Sequence, residues 1–280
     1  MFHSFIDYSD FIYLDKIPIL TKETKSSVYD FRFRDFFECK SIMDSIDTPI
    51  LLRVGAIDDY PKFSSSIESL GMRLLVTEQE HNRASLLEHW YPLITDYTPR
   101  SRVYDKLPAL DSLLQDFTFP VFVKGNRHTN QHSKSQSIIK NIEMYESLSS
   151  RWANDKYLHW QKPVIREYVP LKIFDCQQDQ DKIPHSYEFR LFYWKQTLAG
   201  CGKYWTNSKD YHLQKYDEDP VFALATDVAK IIDVPFLAVD LAKTQNDTWI
   251  VVEVNDGQES GYAGVNRVAL WENILRIERR

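Results

Sequence analysis

Apolar and polar positions along the chain sort into short strand-like runs and amphipathic stretches, and the clearest pair of runs lies near the C-terminus. Pro235 to Leu241 is apolar apart from one acid, Asp240. Trp249 to Asn255 is the second run and carries Glu253 and then Asn255. The polar stretch from Lys243 to Thr248 between them predicts a β-hairpin. Side chains alternate along a strand, so Glu253 and Asn255 share one face and Val252 and Val254 the other. Asp240, near the end of the partner strand, can meet the first pair on its face.

The first third of the chain carries a different rhythm. Thr48 to Gly55 reads as a buried strand, Phe63 to Leu70 as a helix, Met72 to Thr77 as a strand, and Glu78 to Trp90 as a helix with Ala84, Leu87 and Trp90 on one stripe. Strand, helix, strand, helix in that order predicts parallel strands and a small α/β domain at residues 1–105. Ahead of it, VYDFRFRDFFEC reads as an edge strand or a short helix, serving with the aromatic-rich residues before it as a cover over the sheet. Further on, the pattern predicts a helix over Leu107–Phe117, a strand over Phe119–Lys124, a polar loop over Gly125–Ser137 and a helix over Asn141–Trp152. A strand over Lys162–Leu171, a loop over Lys172–Ser186 and a hairpin over Tyr187–Trp205 come next. Helices over Pro220–Ile232 and Val265–Arg280 complete the pattern, the last with a basic end that complements its dipole.

Composition narrows the class. An apolar share of 43% and a charged share of 26% over 280 residues suit a folded protein of one large domain or two moderate ones. A net charge of −6 argues against a broad nucleic-acid surface. Cys39, Cys176 and Cys201 are odd in number and lack metal-ligand spacing, which points to a reducing compartment. With no leader and no membrane-length apolar run, the expectation is a cytoplasmic protein with no membrane partner.

The candidate chemistry is that of phosphate and metal. Two carboxylates and an amide, Asp240, Glu253 and Asn255, are hard oxygen ligands suited to Mg²⁺ carrying nucleotide phosphates; they suit equally the solvated rim of a half-buried hairpin. Lys124 ends a strand and leads into a loop whose Asn126, Arg127, His128, Thr129 and Ser133 can close over phosphates, or simply lie at the surface. It is not a Walker A loop, since GxxxxGK[ST] is absent. Glu188 and Arg190 share a face and Lys203 sits on the returning strand near Gly200 and Gly202. They read as a phosphate grip or as a salt-bridge ladder.

Taken in order, PVFVKGN, VIREYVP, EFRLF with the returning GKYW, LAVDLA and VVEVN resemble the ATP-grasp superfamily from about Phe119 to Gly264. The ending VVEVNDGQESG resembles a divergent branch of uncharacterised proteins, itself similar to the eukaryotic cell-division-cycle ATP-grasp proteins that help assemble a translation initiation factor. The resemblance implies an α+β ATP-grasp fold over 106–280, with a lid subdomain at 106–170 and a larger metal-bearing one at 171–280, two subdomains that clasp ATP. It implies that Lys124 contacts the α- and β-phosphates, that Gly125, Asn126 and Arg127 begin the lid, and that Glu167 takes the adenine amine beside the Tyr168 and Val169 backbone. It further implies that Arg190 and Lys203 hold the γ-phosphate, as the catalytic pair, and that Asp240, Glu253 and Asn255 ligate Mg²⁺. The implied activity is an ATP- and Mg-dependent ligase joining a small-molecule or peptide carboxylate to an amine, or a thiol, through an acyl phosphate. The other implied activity is an ATP-binding assembly factor with a protein client. After Asn255 this chain has Asp256–Gly257–Gln258 where many ATP-grasp ligases have a small residue, Pro and Gly.

Overall fold

The structure is a computed structural model, and it describes residues 10–41, 48–57, 59–127, 137–155, 158–175 and 182–280. At the N-terminal end, β1 (Phe11–Leu14) and β2 (Ile17–Thr21) form a hairpin, β3 (Cys39–Ser41) pairs antiparallel with β1, and β4 (Leu51–Arg53) runs parallel to β2. The VYDFRFRDFFEC segment is a turn and one short helical turn, Phe33–Asp35, leading into edge strand β3, so both readings of it hold in part. From β4 the chain crosses through α1 (Tyr60–Glu68), whose first turn Asp59 caps by accepting from the Lys62 amide at 3.0 Å. The run from Met72 to Thr77 contributes one parallel bridge, Leu74 to Ile50, rather than a full strand.

The predicted helix over Glu78–Trp90 is two helices, α2 (Glu78–Ser85) and α3 (Leu87–Trp90). Thr77 and Glu80 form a reciprocal capping box at its start. Leu86 between the two is extended, which lets the Leu87 amide donate to Asn126 O at 2.9 Å. The break therefore ties this region to the segment that follows Lys124.

The second sheet is wholly antiparallel. It contains β5 (Ser101–Val103), β6 (Val121–Gly125), β7 (Ile138–Ile139) and β8 (Pro163–Glu167) in the order β5-β8-β6-β7. The helices α4 (Leu110–Asp116) and α5 (Ile142–Asn154) cover its back through Leu113, Tyr145, Leu148 and Trp152. Strand β5 lies ahead of residue 106 and still belongs to this sheet.

A short ribbon, β9 (Ile173–Asp175) and β10 (His185–Ser186), precedes the central sheet. That sheet is β11 (Glu188–Trp194), β12 (Thr197–Lys203), β13 (Phe236–Lys243) and β14 (Trp249–Asp256), ordered β12-β11-β13-β14. The hairpin turn at Lys195 and Gln196 has φ of 45° and 63°, the left-handed pair that fits the twist of a two-residue hairpin. Helix α6 (Lys215–Ile232) begins a turn and a half before Pro220, with Asp217 and Glu218 in its first turn, where the helix dipole favours acids. Helix α7 (Arg267–Glu278) is capped by the Asn266 side chain, which accepts from the Ala269 amide at 3.1 Å.

Alternation gives the central sheet two distinct faces. Phe189, Leu191, Tyr193, Val239 and Leu241 pack on α6 and on Leu87 and Trp90. Phe192, Trp194, Phe236 and Ala238 pack on Leu270, Trp271 and Ile274 of α7 and on the N-terminal sheet. No helix among the described residues is long and apolar enough to cross a membrane.

Trp271 is fully buried, meets Phe33 edge-on at 4.8 Å, and donates its indole N–H to the Tyr262 hydroxyl at 3.0 Å. Trp271→Ala is therefore expected to cost about 3–5 kcal/mol in urea unfolding. A loss below about 1 kcal/mol would mean that α7 does not close this core.

Candidate functional site

Strand register assembles the site. Gly202, Arg190, Asp240 and Glu253 are successive Cα partners across β12, β11, β13 and β14, so they stand in one row on one face. Arg190 grips Asp240 through both arms of its fork, Nε to Oδ1 at 2.8 Å and Nη2 to Oδ2 at 2.6 Å. Its remaining arm, Nη1, donates to Gly261 O at 2.7 Å. Lys124, at the end of β6 in the neighbouring sheet, donates to Glu253 and completes the row. Asn255, two residues beyond Glu253 on the same strand, donates a side-chain hydrogen bond to that carboxylate. The row is thus two cations and two anions in alternation, mostly buried.

Two further contacts pin the edge of β14 to the neighbouring sheet. Arg166 of β8 donates through Nη1 to Val252 O at 2.7 Å, and the Thr98 hydroxyl donates to Val251 O at 2.9 Å. Arg166 is itself steadied by the Ser101 hydroxyl, which accepts from its Nε at 2.8 Å. Burial without a carboxylate partner lowers the Arg166 guanidinium to about 10.

Charge pairing sets the titration of the acids. Burial works to raise Glu253, but the Lys124 ammonium outweighs it and holds the carboxyl at about 2. Asp240 is raised by burial against the pull of Arg190, while Arg190 is held firmly charged by Asp240 despite its own burial. Glu188, two residues before Arg190 on the same face, has only the Ser186 hydroxyl as donor, at 2.9 Å, and no cation of its own. Burial first and the Asp240 charge second push it up to about 8.

Asp240, Glu253 and Asn255 fit a hard divalent cation. Two carboxylates and an amide oxygen stand side by side, and both carboxylates are matched to cations that incoming phosphates would attract. A site of this kind leaves positions for water and phosphate oxygens, as Mg²⁺ prefers. Among the described residues no group of three or more His, Cys, Asp or Glu is arranged to hold a metal, so the set depends on the amide.

The row floors a cleft of about 140 Å³, with walls that include Tyr29, Ala56, Ser85, Tyr204, Glu259 and Ser260. The N-terminal domain supplies one wall and the loop after β14 another. Arg53 organises that loop: its Nη1 donates to Gly257 O, Gln258 O and Ser260 O at 2.7, 3.1 and 3.0 Å. Gln258 accepts from the Leu52 amide at 2.9 Å, and His81 meets Asp256 Oδ2 at 3.0 Å while stacking on Tyr60 at 3.9 Å. None of these N-terminal partners carries a sequence signal, because each reaches a residue at the far end of the chain.

The other sequence-selected residues are placed as follows. Gly125 lets the Gln161 side chain lie where a Cβ would stand, and Asn126 donates to both Glu88 oxygens at 3.0 Å. Arg127 donates to Ile57 O and stands 3.8 Å from Glu259 Oε2. Glu167, at the end of β8, is exposed and lies 3.9 Å from Arg100; Tyr168 and Val169 follow it, half-buried. Lys203 pairs in register with Phe189, one position off Arg190, so alternation turns it from the row; its ammonium donates to Asp210 at 2.7 Å. The close approach allowed by Gly202 is taken by the chain's own backbone at Gly264 and Val265. His128, Thr129, Ser133 and Cys176 lie outside the described residues.

The opposite shifts of Glu188 and Glu253 give opposite pH dependences. Glu188 is raised from about 4.5 in the unfolded chain to about 8, so its protonated form stabilises the fold below about pH 4.5 and that contribution is lost as pH rises towards 8. Glu188→Gln, which stays neutral, is expected to gain stability over the parent at pH 8, by a few kcal/mol at most, with little difference at pH 4.5. Glu253 is lowered to about 2, so its contribution is present above about pH 4.5 and lost as pH falls to 2; Glu253→Gln should flatten the acid limb there. Urea unfolding across pH 2–8 checks both, and a parallel response of the two variants would contradict the pairing.

No curated protein matches the sequence. Among solved structures, the chain is similar to a RimK domain ATP-grasp protein from Sphaerobacter thermophilus DSM 20745, with 14% identity and a TM-score of 0.56 over 81% of this chain and 80% of that one. It is similar to the D-alanine–D-alanine ligase of Bacillus anthracis complexed with ATP, with 17% identity and a TM-score of 0.54 over 82% and 80%. It is also similar to the D-cycloserine synthetase DcsG, with 17% identity and a TM-score of 0.55 over 82% and 83%. At such identities the likeness shows a shared fold. A family model described as an ATP-grasp domain, the third family of its clade, matches residues 89–274, which takes in the second sheet, the central sheet and most of α7. With well over half of its length inside that match and an ATP-grasp fold around a row of alternating charges, the chain belongs to this third clade family of ATP-grasp domain proteins.

Proposed function

We propose that the protein is an ATP- and Mg²⁺-dependent ligase that joins a carboxylate to an amine through an acyl phosphate. The observation that carries the reading is the row itself: Lys124 and Arg190, from two different sheets, stand with Asp240, Glu253 and Asn255 along one edge of a cleft. Phosphoryl transfer needs little covalent help from a protein; it needs positioning and charge stabilisation. Lys124 and Arg190 would bind phosphate oxygens, with Arg190 placed to stabilise charge on the transferred group. Asp240, Glu253 and Asn255 would hold Mg²⁺, whose chemistry there is to offset phosphate charge. The cleft walls would place the carboxylate in line and exclude water. A thiol acceptor and a cytoplasmic setting belong to the same proposal. The ATP-bound B. anthracis ligase, similar in fold, supports the assignment of the nucleotide.

The row also predicts how the ligand acts on stability. At a hundred times its dissociation constant Mg-ATP should stabilise the protein by about 2.7 kcal/mol, read as a rise in Tm. Lys124→Met and Asp240→Asn are expected to abolish that gain while leaving the far-UV circular dichroism intact. A ligase then releases ADP and phosphate in proportion to a ligated product once both substrates are supplied. Mg-ATP binding without such turnover under a broad screen of carboxylates and amines would point to an assembly factor acting on a protein client. A Tm gain that survives both substitutions would remove the row from nucleotide binding.

A further inference from the structure

We propose that Glu259 is the general base of the second half-reaction, and that the acceptor is a primary amine of amino-acid size bound between Glu259 and the charged row. The inference rests on the ligase reading. Glu259 lines the same cleft as Arg190, Glu253 and Asn255, and lies on the loop that Arg53 holds against the N-terminal domain. Its side chain is 9% exposed, and the phosphate grip does not use it. Its Oε1 accepts from the Ile57 amide at 2.8 Å, and its Oε2 stands 3.8 Å from Arg127, which leaves lone pairs free on both oxygens. A cleft of about 140 Å³ suits a ligand on the scale of benzene, which occupies a cavity of about 150 Å³; a protein tail would not fit.

The surroundings tune this acid for the task. Burial raises Glu259 to about 7, Asp256 adds repulsion, and His81, Arg127 and the Ile57 amide pull the other way. Tyr29 and Tyr60 face it across the cleft and are neutral at that pH. An acid of that strength is half ionised near neutrality, where a base best serves. The Arg127 guanidinium and His81 place it on a rigid mount, since Arg127 is itself held by Ile57 O and His81 by Asp256.

The step balances. The acceptor arrives as an ammonium and gives one proton to the Glu259 carboxylate. The freed lone pair attacks the acyl carbon, forming the C–N bond and breaking the C–O bond to phosphate. The departing phosphate keeps that electron pair and takes the second amine proton, leaving as monohydrogen phosphate. Glu259 then returns its proton to water.

The test uses the full chain with Mg-ATP and the twenty protein amino acids, pooled and then single, followed by ADP release and mass analysis of the amide. Glu259→Gln keeps an oxygen for the Ile57 amide, so its Mg-ATP Tm gain should match the parent's. Its amine-dependent rate at pH 7 should fall about 100-fold or more, and its rate should climb beyond pH 9 where the parent levels above pH 7. Hydroxylamine, a weak base that arrives already deprotonated, should restore the variant to within a few-fold of the parent. An unchanged amine rate in Glu259→Gln, or equal losses with amine and hydroxylamine, would overturn the role of Glu259 while leaving the ligase intact. No ADP release by the parent with either acceptor, despite bound Mg-ATP, would instead overturn the ligase reading on which it rests.

Discussion

A buried charge is tolerated only when it is paired, and four of them meet in one row of this protein. Lys124, Glu253, Asp240 and Arg190 alternate in sign, and each is satisfied by its neighbour. Removing one partner from such a set leaves an uncompensated charge that costs several kcal/mol. The row therefore binds the two sheets together: Lys124 belongs to one, and the other three residues belong to the other. Arg166 and Thr98 extend the join by satisfying the carbonyls of Val252 and Val251 along the β14 edge. The same pairs that hold the sheets are the groups a polyphosphate and its cation would take over, so structure and binding compete for one set of charges.

The N-terminal domain is joined to this arrangement by polar contacts. Arg53 feeds one guanidinium arm to three carbonyls of the loop after β14, and its ring contact with Tyr262 at 4.3 Å fixes its angle. The cleft exists because this loop is held up against the domain and does not collapse onto the row. Asp256–Gly257–Gln258 serves that purpose. Asp256 meets His81, Gln258 meets Leu52, and Gly257 lies so near the Phe236 ring that a Cβ would stand 2.6 Å from it.

Much of this was legible in the residues, for physical reasons. The hairpin of Asp240 and Glu253 could be read because alternation and a polar turn fix the face of each side chain, and the structure pairs the two acids directly. The α6 stripe and the Asn141 and Asn266 caps are local signals of the same kind. Register is different. Whether Lys203 faces Arg190 or turns away depends on a single residue of strand offset, which no local pattern states; the offset pairs it with Phe189. Glu259, Arg53 and His81 were invisible because their partners lie across domains. The split of Glu78–Trp90 at Leu86 was hidden too, since the partner that rewards it is the carbonyl of Asn126.

The central claim is that one nucleotide is held by cations of both sheets while the late hairpin holds its metal. A crystal structure of the chain with Mg²⁺ and a non-hydrolysable ATP analogue tests it most directly. The account predicts phosphate oxygens on Lys124 Nζ and the Arg190 guanidinium, with the ion ligated by Asp240, Glu253 and Asn255. Electron density for the nucleotide elsewhere, with the Arg190–Asp240 and Lys124–Glu253 pairs intact, would contradict it.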